Sequence, residues 1–158
     1  MSTPRLLDSS LFTDLAGRAQ DNPRQRQHYN LHSAEEPCHR LLNALQPGTY
    51  IQPHCHRDPN KAESILVLRG RLGLLLFSPS GELLETRELA PLGECVGVDL
   101  PPGSFHALVA LEPDSLMFEC KAGPYLPPAD DERGAWAPRE NEPGAAAYEA
   151  WMRSRFDV

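Results

Sequence analysis

Three histidines and a glutamate, divided between two short segments, are the residues whose types and spacing could do chemistry together. The first segment runs Gly48-Thr49-Tyr50-Ile51-Gln52-Pro53-His54-Cys55-His56, followed by Glu63 and Gly70. The second reads Pro101-Pro102-Gly103-Ser104-Phe105-His106. On an extended segment His54 and His56 project to one side, with Cα atoms about 6.5–7 Å apart. Both imidazoles can then converge on one ion at about 2.0–2.1 Å per bond. His106 and Glu63 would complete a His3Glu set with positions left open for a substrate. Such a nitrogen and oxygen set suits one divalent transition metal (Fe, Zn, Mn, Ni or Co), and the sequence does not choose among them. The ion would act as a Lewis acid on a carbonyl or hydroxyl. Asp58 is the rival carboxylate, but Glu63 fits the frame of strand and glycine better.

Other groups could serve around the ion. Lys61, two residues before Glu63, is a proton donor or anion clamp at the mouth, or else a surface lysine lying along its stem. His28, Asn30 and His32 alternate along an N-terminal arm that also carries Tyr29. They face the cavity if the arm folds over its mouth, and otherwise only hydrogen-bond the arm. The candidate catalytic residues are therefore Glu63, Lys61 and His28. Arg40 and Arg69 could bind a carboxylate or phosphate, or simply be solvated. His39 lies outside both segments and reads as structural or solvated.

These residues need a scaffold of short strands. Residues 9–21 read as a helix capped by Ser9 or Ser10, with Leu11, Phe12, Leu15 and Ala19 at helical spacing and Pro23 as its stop. Residues 24–39 are polar and read as an irregular arm. From residue 40 to 122 short runs alternate with Gly and Pro turns. Strands are predicted over 40–46, 49–54, 62–69, 71–77, 82–89, 95–100, 105–112 and 115–121, the spacing of an all-β sandwich or barrel. The runs Ile65-Leu66-Val67-Leu68 and Leu72–Phe77 are apolar on both faces, so the arm, the C-terminal tail or a second copy in a homodimer must cover them. Residues 124–142 read as a wrapping segment. A terminal helix is predicted over 143–156, docking through Ala147, Trp151 and Met152 or Arg155. The chain thus divides as 1–39 (helix and arm), 40–123 (barrel) and 124–158 (wrap and helix), one domain overall.

Composition excludes some partners. With 15 Lys+Arg against 22 Asp+Glu, the formal charge is −7, which disfavours nucleic acid and anionic membranes. The local run Arg24-Gln25-Arg26-Gln27-His28 reads as a solvated face or a small-anion site. No window approaches 18 apolar residues, and no secretory leader is recognisable. The four cysteines, Cys38, Cys55, Cys95 and Cys120, form no C-x-x-C pair. Free thiols in the cytoplasm are expected. Cys55, between two ligands, should point away from the metal as a buried thiol.

The spacings resemble the cupin superfamily, whose first motif is G-x5-H-x-H-x3–4-E-x6-G. Gly48, His54, His56, Glu63 and Gly70 fit, except that six residues separate His56 from Glu63, two more than the pattern allows. The second motif is G-x5-P-x-G-x2-H-x3-N. Pro101, Gly103 and His106 fit its centre, the leading glycine is displaced (Gly97 or Gly93), and Ala110 replaces the asparagine. The runs 26–32, Leu41-Leu42-Asn43-Ala44-Leu45, Pro53–His56 and Trp136-Ala137-Pro138 further resemble the WbuC family of cupin-fold metalloproteins, over nearly the whole chain. The resemblance implies an all-β double-stranded β-helix, a jelly-roll barrel with a short N-terminal and a C-terminal helix, holding a divalent metal. It also implies a place in bacterial surface-polysaccharide (O-antigen, lipopolysaccharide) gene clusters. The expected function is a metal-dependent isomerase or epimerase acting on a small sugar, sugar phosphate or hydroxy/keto substrate. The alternatives are a non-catalytic metal-containing sugar-binding module and an Fe(II)-dependent dioxygenase.

Overall fold

The structure is a computed structural model that describes residues 3–157. The first predicted helix forms as α1, Ser9–Asp21. Its cap is Asp8 rather than either serine: the Asp8 carboxylate accepts the Leu11 N–H at 3.0 Å, satisfying a first-turn donor that the helix itself leaves open. Leu15, Ala16 and Ala19 are its buried residues.

Eight strands follow: β1 Arg26–Asn30, β2 Cys38–Leu45, β3 Glu63–Arg69, β4 Leu72–Phe77, β5 Leu83–Leu89, β6 Gly97–Leu100, β7 Phe105–Ala110 and β8 Ser115–Ala122. Two predictions need correction. The arm is not irregular throughout, because Arg26–Asn30 pairs antiparallel with Leu41–Leu45 as an edge strand. Cross-strand packing there outweighs the weak β-propensity of a polar run. Conversely, residues 49–54 form no regular strand. Pro53 lacks the N–H a ladder requires, and only His54 makes isolated bridges, to His106 and to Arg133.

The strands make a five-stranded sheet, ordered β1-β2-β8-β3-β6, and a three-stranded sheet, β5-β4-β7. Every pairing is antiparallel. Leu45, Ile65, Val67 and Met117 from the first sheet meet Leu72, Leu74, Leu108 and Ala110 from the second in a common core. Helix α1 covers the outer face of the first sheet at Leu42, Ala44 and Leu116. Helix α2, Ala145–Arg153, covers the second at Leu75, Phe77, Ala107 and Val109.

Helix α2 docks through Ala145, Glu149 and Met152, while the expected Ala147 is exposed. Met152 fills the sheet face, and Glu149 tolerates burial because its carboxylate faces the Gly48 N–H and the Arg153 guanidinium, both at 3.3 Å. The doubly apolar run of β4 is therefore covered by the C-terminal helix. In the apolar run of β3 only Ile65 and Val67 are inside, and Leu66 and Leu68 stay exposed.

Candidate metal centre

Five backbone hydrogen bonds set the histidines. The turn at Pro101–Ser104 needs Gly103, whose φ of +83° lies in the left-handed region. The Gly103 N–H donates to the His56 carbonyl at 2.7 Å, tying the second segment to the first. His54 and His106 exchange N–H···O bonds of 3.0 and 2.9 Å. On the other side the Cys55 N–H donates to the Glu132 carbonyl and the Gly134 N–H to the Pro53 carbonyl, each at 2.8 Å. The histidine segment is thus laced between β7 and the C-terminal wrap. Glu63 opens β3 opposite Leu100 and Lys121.

One ligand atom each from His54, Glu63 and His106 lies within 4.8 Å of the others. His56 stands outside that group, its ring centre 5.5 Å from His54 and 6.4 Å from His106. It still approaches Glu63: the Glu63 Oε2 atom lies 3.3 Å from His56 Nε2 and 3.2 Å from His106 Nε2.

The tautomers make this arrangement unusual. His54 Nδ1 lies 3.0 Å from the Gln52 carbonyl and His106 Nδ1 lies 2.9 Å from the Ser104 carbonyl. A carbonyl only accepts, so each Nδ1 carries the proton, and in a neutral ring Nε2 presents a lone pair. For His106 that lone pair faces a carboxylate oxygen. Two lone pairs at that distance repel unless a cation lies between them. Glu63 Oε2 and His56 Nε2 are both buried without a hydrogen-bond partner, a costly arrangement in an interior. A divalent ion held by His54, Glu63 and His106 would relieve the Glu63 repulsion, and ring N–H groups held by backbone carbonyls are the usual support of metal-binding histidines. Burial, with the neighbouring His106, pushes the His54 pKa down to about 3, so its ring is neutral and ready to ligate at ordinary pH. Burial opposes the Glu63 charge, but its polar surroundings, the Lys121 ammonium among them, outweigh it and hold the carboxyl far below the usual range.

The remaining candidates separate. A cavity of about 310 Å³ lies beside His54, Glu63 and His106, and His28, Asn30 and His32 line it. His28 sits opposite Asn43 in the β1–β2 pairing, whereas Glu63 sits opposite Lys121 and, beyond it, His39. His28 therefore belongs to the far part of the cavity. Lys61 and Asp58 line an adjoining hollow of about 340 Å³ with His56; the Asp58 carboxylate is exposed and accepts the Asn60 N–H. His39 is buried, stacked on His32 with ring centres 4.0 Å apart. Arg40 pairs with Glu36, and Arg69 reaches only Thr13. The basic run is only partly a solvated face: exposed Arg24 and buried Arg26 both grip Glu140. Cys55 is buried, as expected, and all four thiols are free.

Sequence reading missed Lys121 and Glu119, which stand next to the candidate ligands. The Lys121 ammonium contacts the Glu63 carboxylate at 3.3 Å and the Glu119 carboxylate more closely. Their signal was positional. Leu116 and Phe118 pack on α1, so Met117, Glu119 and Lys121 must face inward, and charges on an inner face mark a cavity rather than a core. Burial alone would lower the Lys121 pKa, but Glu119 and Glu63 raise it above its ordinary value. Burial and the Glu63 charge push Glu119 up to about 7, against the pull of Lys121.

Two facing antiparallel sheets with histidines and a carboxylate inside define a cupin fold. The comparisons agree. A cupin superfamily protein from Desulfitobacterium hafniense DCB-2 matches with TM-score 0.53 and 14% identity, covering 77% of this chain and 94% of that one. KdgF from a Halomonas species matches with TM-score 0.51 and 24% identity, over 70% and 86%. A conserved protein of unknown function from Streptococcus pyogenes matches with TM-score 0.52 and 21% identity, over 80% and 93%. These likenesses speak for the fold. Residues 7–89, more than half of the chain, match the family described as Domain of unknown function (DUF6016), and the chain belongs to that family. No curated protein matches the sequence. No helix among the described residues is long and apolar enough to cross a membrane.

Proposed function

We propose that the protein is a mononuclear metal enzyme of the isomerase or epimerase type, acting on a small sugar or hydroxy/keto compound. The ligands are His54, His56, Glu63 and His106. The observation that carries this reading is the buried Glu63 Oε2 atom, unpartnered and facing two imidazole nitrogens. A bound divalent ion would polarise adjacent substrate oxygens and acidify the neighbouring C–H. Lys121 and Glu119, in contact with each other beside Glu63, then give the site what a proton shift between carbons needs: a donor at Lys121 Nζ and an acceptor at the Glu119 carboxylate. Ile65 and Leu108 give the cavity apolar walls. A volume of about 310 Å³ stands at the lower end for small-molecule sites and suits a single sugar. The resemblance to WbuC supports a role in surface-polysaccharide synthesis, in the cytoplasm.

The test has two parts. Protein purified without added metal should carry about one divalent ion per chain, and His54→Ala and Glu63→Gln should lose it. Metal-loaded protein in deuterium oxide should wash solvent deuterium into the carbon beside the carbonyl of its substrate, screened across small sugars and sugar phosphates by NMR. Lys121→Met should keep the metal and stop the exchange. Ligand binding with no exchange in any sugar would replace this reading by a binding module. Oxygen uptake dependent on iron would replace it by a dioxygenase.

A further inference from the structure

Inside the cavity, away from the candidate ligands, one buried polar side chain has nothing to do. Asn43 on β2 is 2% exposed and lines the cavity, and its Oδ1 atom has no hydrogen-bond partner. Its neighbours on the inner face are His28 across the β1 pairing and Met117 across the β8 pairing. Leaving a buried carboxamide without a partner is costly, and a core position could be filled by leucine at no such cost.

The charged groups of this cavity are already engaged. Arg26 donates to the Tyr50 carbonyl at 3.0 Å and pairs with Glu140 at 2.9 Å. Lys121 is held by Glu63 and Glu119. His32 and His39 face the carbonyls of Arg40 and Ala34. What remains beside Asn43 is uncharged: its own carboxamide, the His28 ring and the Met117 side chain. A carboxamide offers both an acceptor and a donor, which matches a hydroxyl that donates and accepts at once. A phosphate would find no free cation there.

The β-register sets the span. Glu63 lies in the row of Lys121 and His39, and Asn43 lies four residues along β2 from His39, about 13 Å of strand. A two-carbon chelator at the candidate ligands falls well short of that span, and each added carbon of a chain lying along the inner face brings its far end nearer to Asn43.

We propose that Asn43 forms the distal subsite of this cavity and selects a ligand whose far end is an uncharged, hydroxyl-bearing carbon chain, its near end chelating the metal. The subsite rests on the metal-chelate reading above. It narrows the substrate class from sugars and sugar phosphates to polyhydroxy compounds without a terminal phosphate.

The experiment is a chain-length series on protein loaded with one divalent ion, titrated calorimetrically with glycolate, glycerate, threonate and gluconate. Affinity should rise at least tenfold from glycolate to gluconate, and 6-phosphogluconate should bind more weakly than gluconate. In Asn43→Leu, with metal content unchanged, the gain for gluconate should vanish while glycolate binds as before. No gain with chain length, a gain that survives Asn43→Leu, or tighter binding of 6-phosphogluconate would each overturn the subsite. Should Asn43→Leu fail to fold, the comparison of gluconate with 6-phosphogluconate on the unaltered protein still decides. If glycolate itself does not bind the metal-loaded protein, the chelate reading fails, and the subsite with it.

Discussion

At the scale of single residues the four candidate ligands are not equivalent. His54 and His106 are joined by a pair of backbone hydrogen bonds, and their ring centres are 4.5 Å apart. His56 meets the group at Glu63 and stands farther from the other two rings. Alanine at His54 or His106 should therefore remove the ion, because it breaks the pair that shares the tight cluster with Glu63. His56→Ala should retain metal with weakened affinity. Metal content after dialysis against a weak chelator separates the outcomes, and equal loss from all three variants would assign His56 the same rank. Metal binding should also weaken as pH falls, since protons compete for imidazole nitrogens. That His54 and His106 come together could be read from motif spacing, because two segments with fixed turns carry them. Glu119, Lys121 and Asn43 could not. Glu119 and Lys121 belong to no motif, the run that holds Asn43 carries only a resemblance, and the register of β2 and β8 is what places all three on the cavity wall.

At the scale of elements, the centre depends on pieces that no periodicity announced. Residues 50–57 are a strand in direction but not in pairing, since Pro53 interrupts the ladder and the C-terminal wrap supplies the missing bonds at Pro53 and Cys55. The wrap is anchored in turn by Glu140, which accepts from Arg24 at 2.7 Å and from Arg26 at 2.9 Å. The strands between 62 and 122 were legible because apolar runs and Gly/Pro turns mark them. The strand β1 was not, because its inward residues are an arginine, a histidine and an asparagine that face a cavity and the half-buried Glu140 carboxylate rather than apolar side chains. The Glu140 clamp gives a pH prediction. The Arg24 hydrogen bond outweighs burial and, with Arg26, draws the Glu140 pKa from its ordinary 4.5 down to about 2. A depressed folded-state pKa contributes stability above the unfolded value and loses it as pH falls through the folded one. Glu140→Gln should thus cost about 2 kcal/mol at pH 7, because buried Arg26 loses its counter-charge. The gap to the unaltered protein should narrow between pH 4.5 and 2. Thermal melts at pH 7, 4 and 2.5 measure it, and a pH-independent difference would refute the clamp.

At the scale of the whole molecule, the two sheets enclose the cavity only while each outer face is covered. Helix α1 covers one through Leu15 and Ala19 on Leu42, Ala44 and Leu116. Helix α2 covers the other through Ala145 and Met152 beside Leu75 and Val109. Leu15 and Met152 are each fully buried, and they belong to separate apolar clusters on opposite sides of the barrel. Truncating either should cost about 2–4 kcal/mol, from lost transfer energy and the cavity left behind. Sites that share no partner add to within about 0.5 kcal/mol, so Leu15→Ala with Met152→Ala should cost the sum of the two, measured by urea unfolding with a single transition. A marked shortfall or excess would mean that strain passes through the barrel from one cover to the other. The candidate metal centre should then feel it as well, because the His54 segment is laced to the chain that leads into α2. Independent covers predict the opposite: each single variant, folded at low temperature, binds its ion as tightly as the unaltered protein. A fall in metal affinity in Met152→Ala alone would place α2 among the elements that hold the histidine segment rather than among those that only cover the sheet.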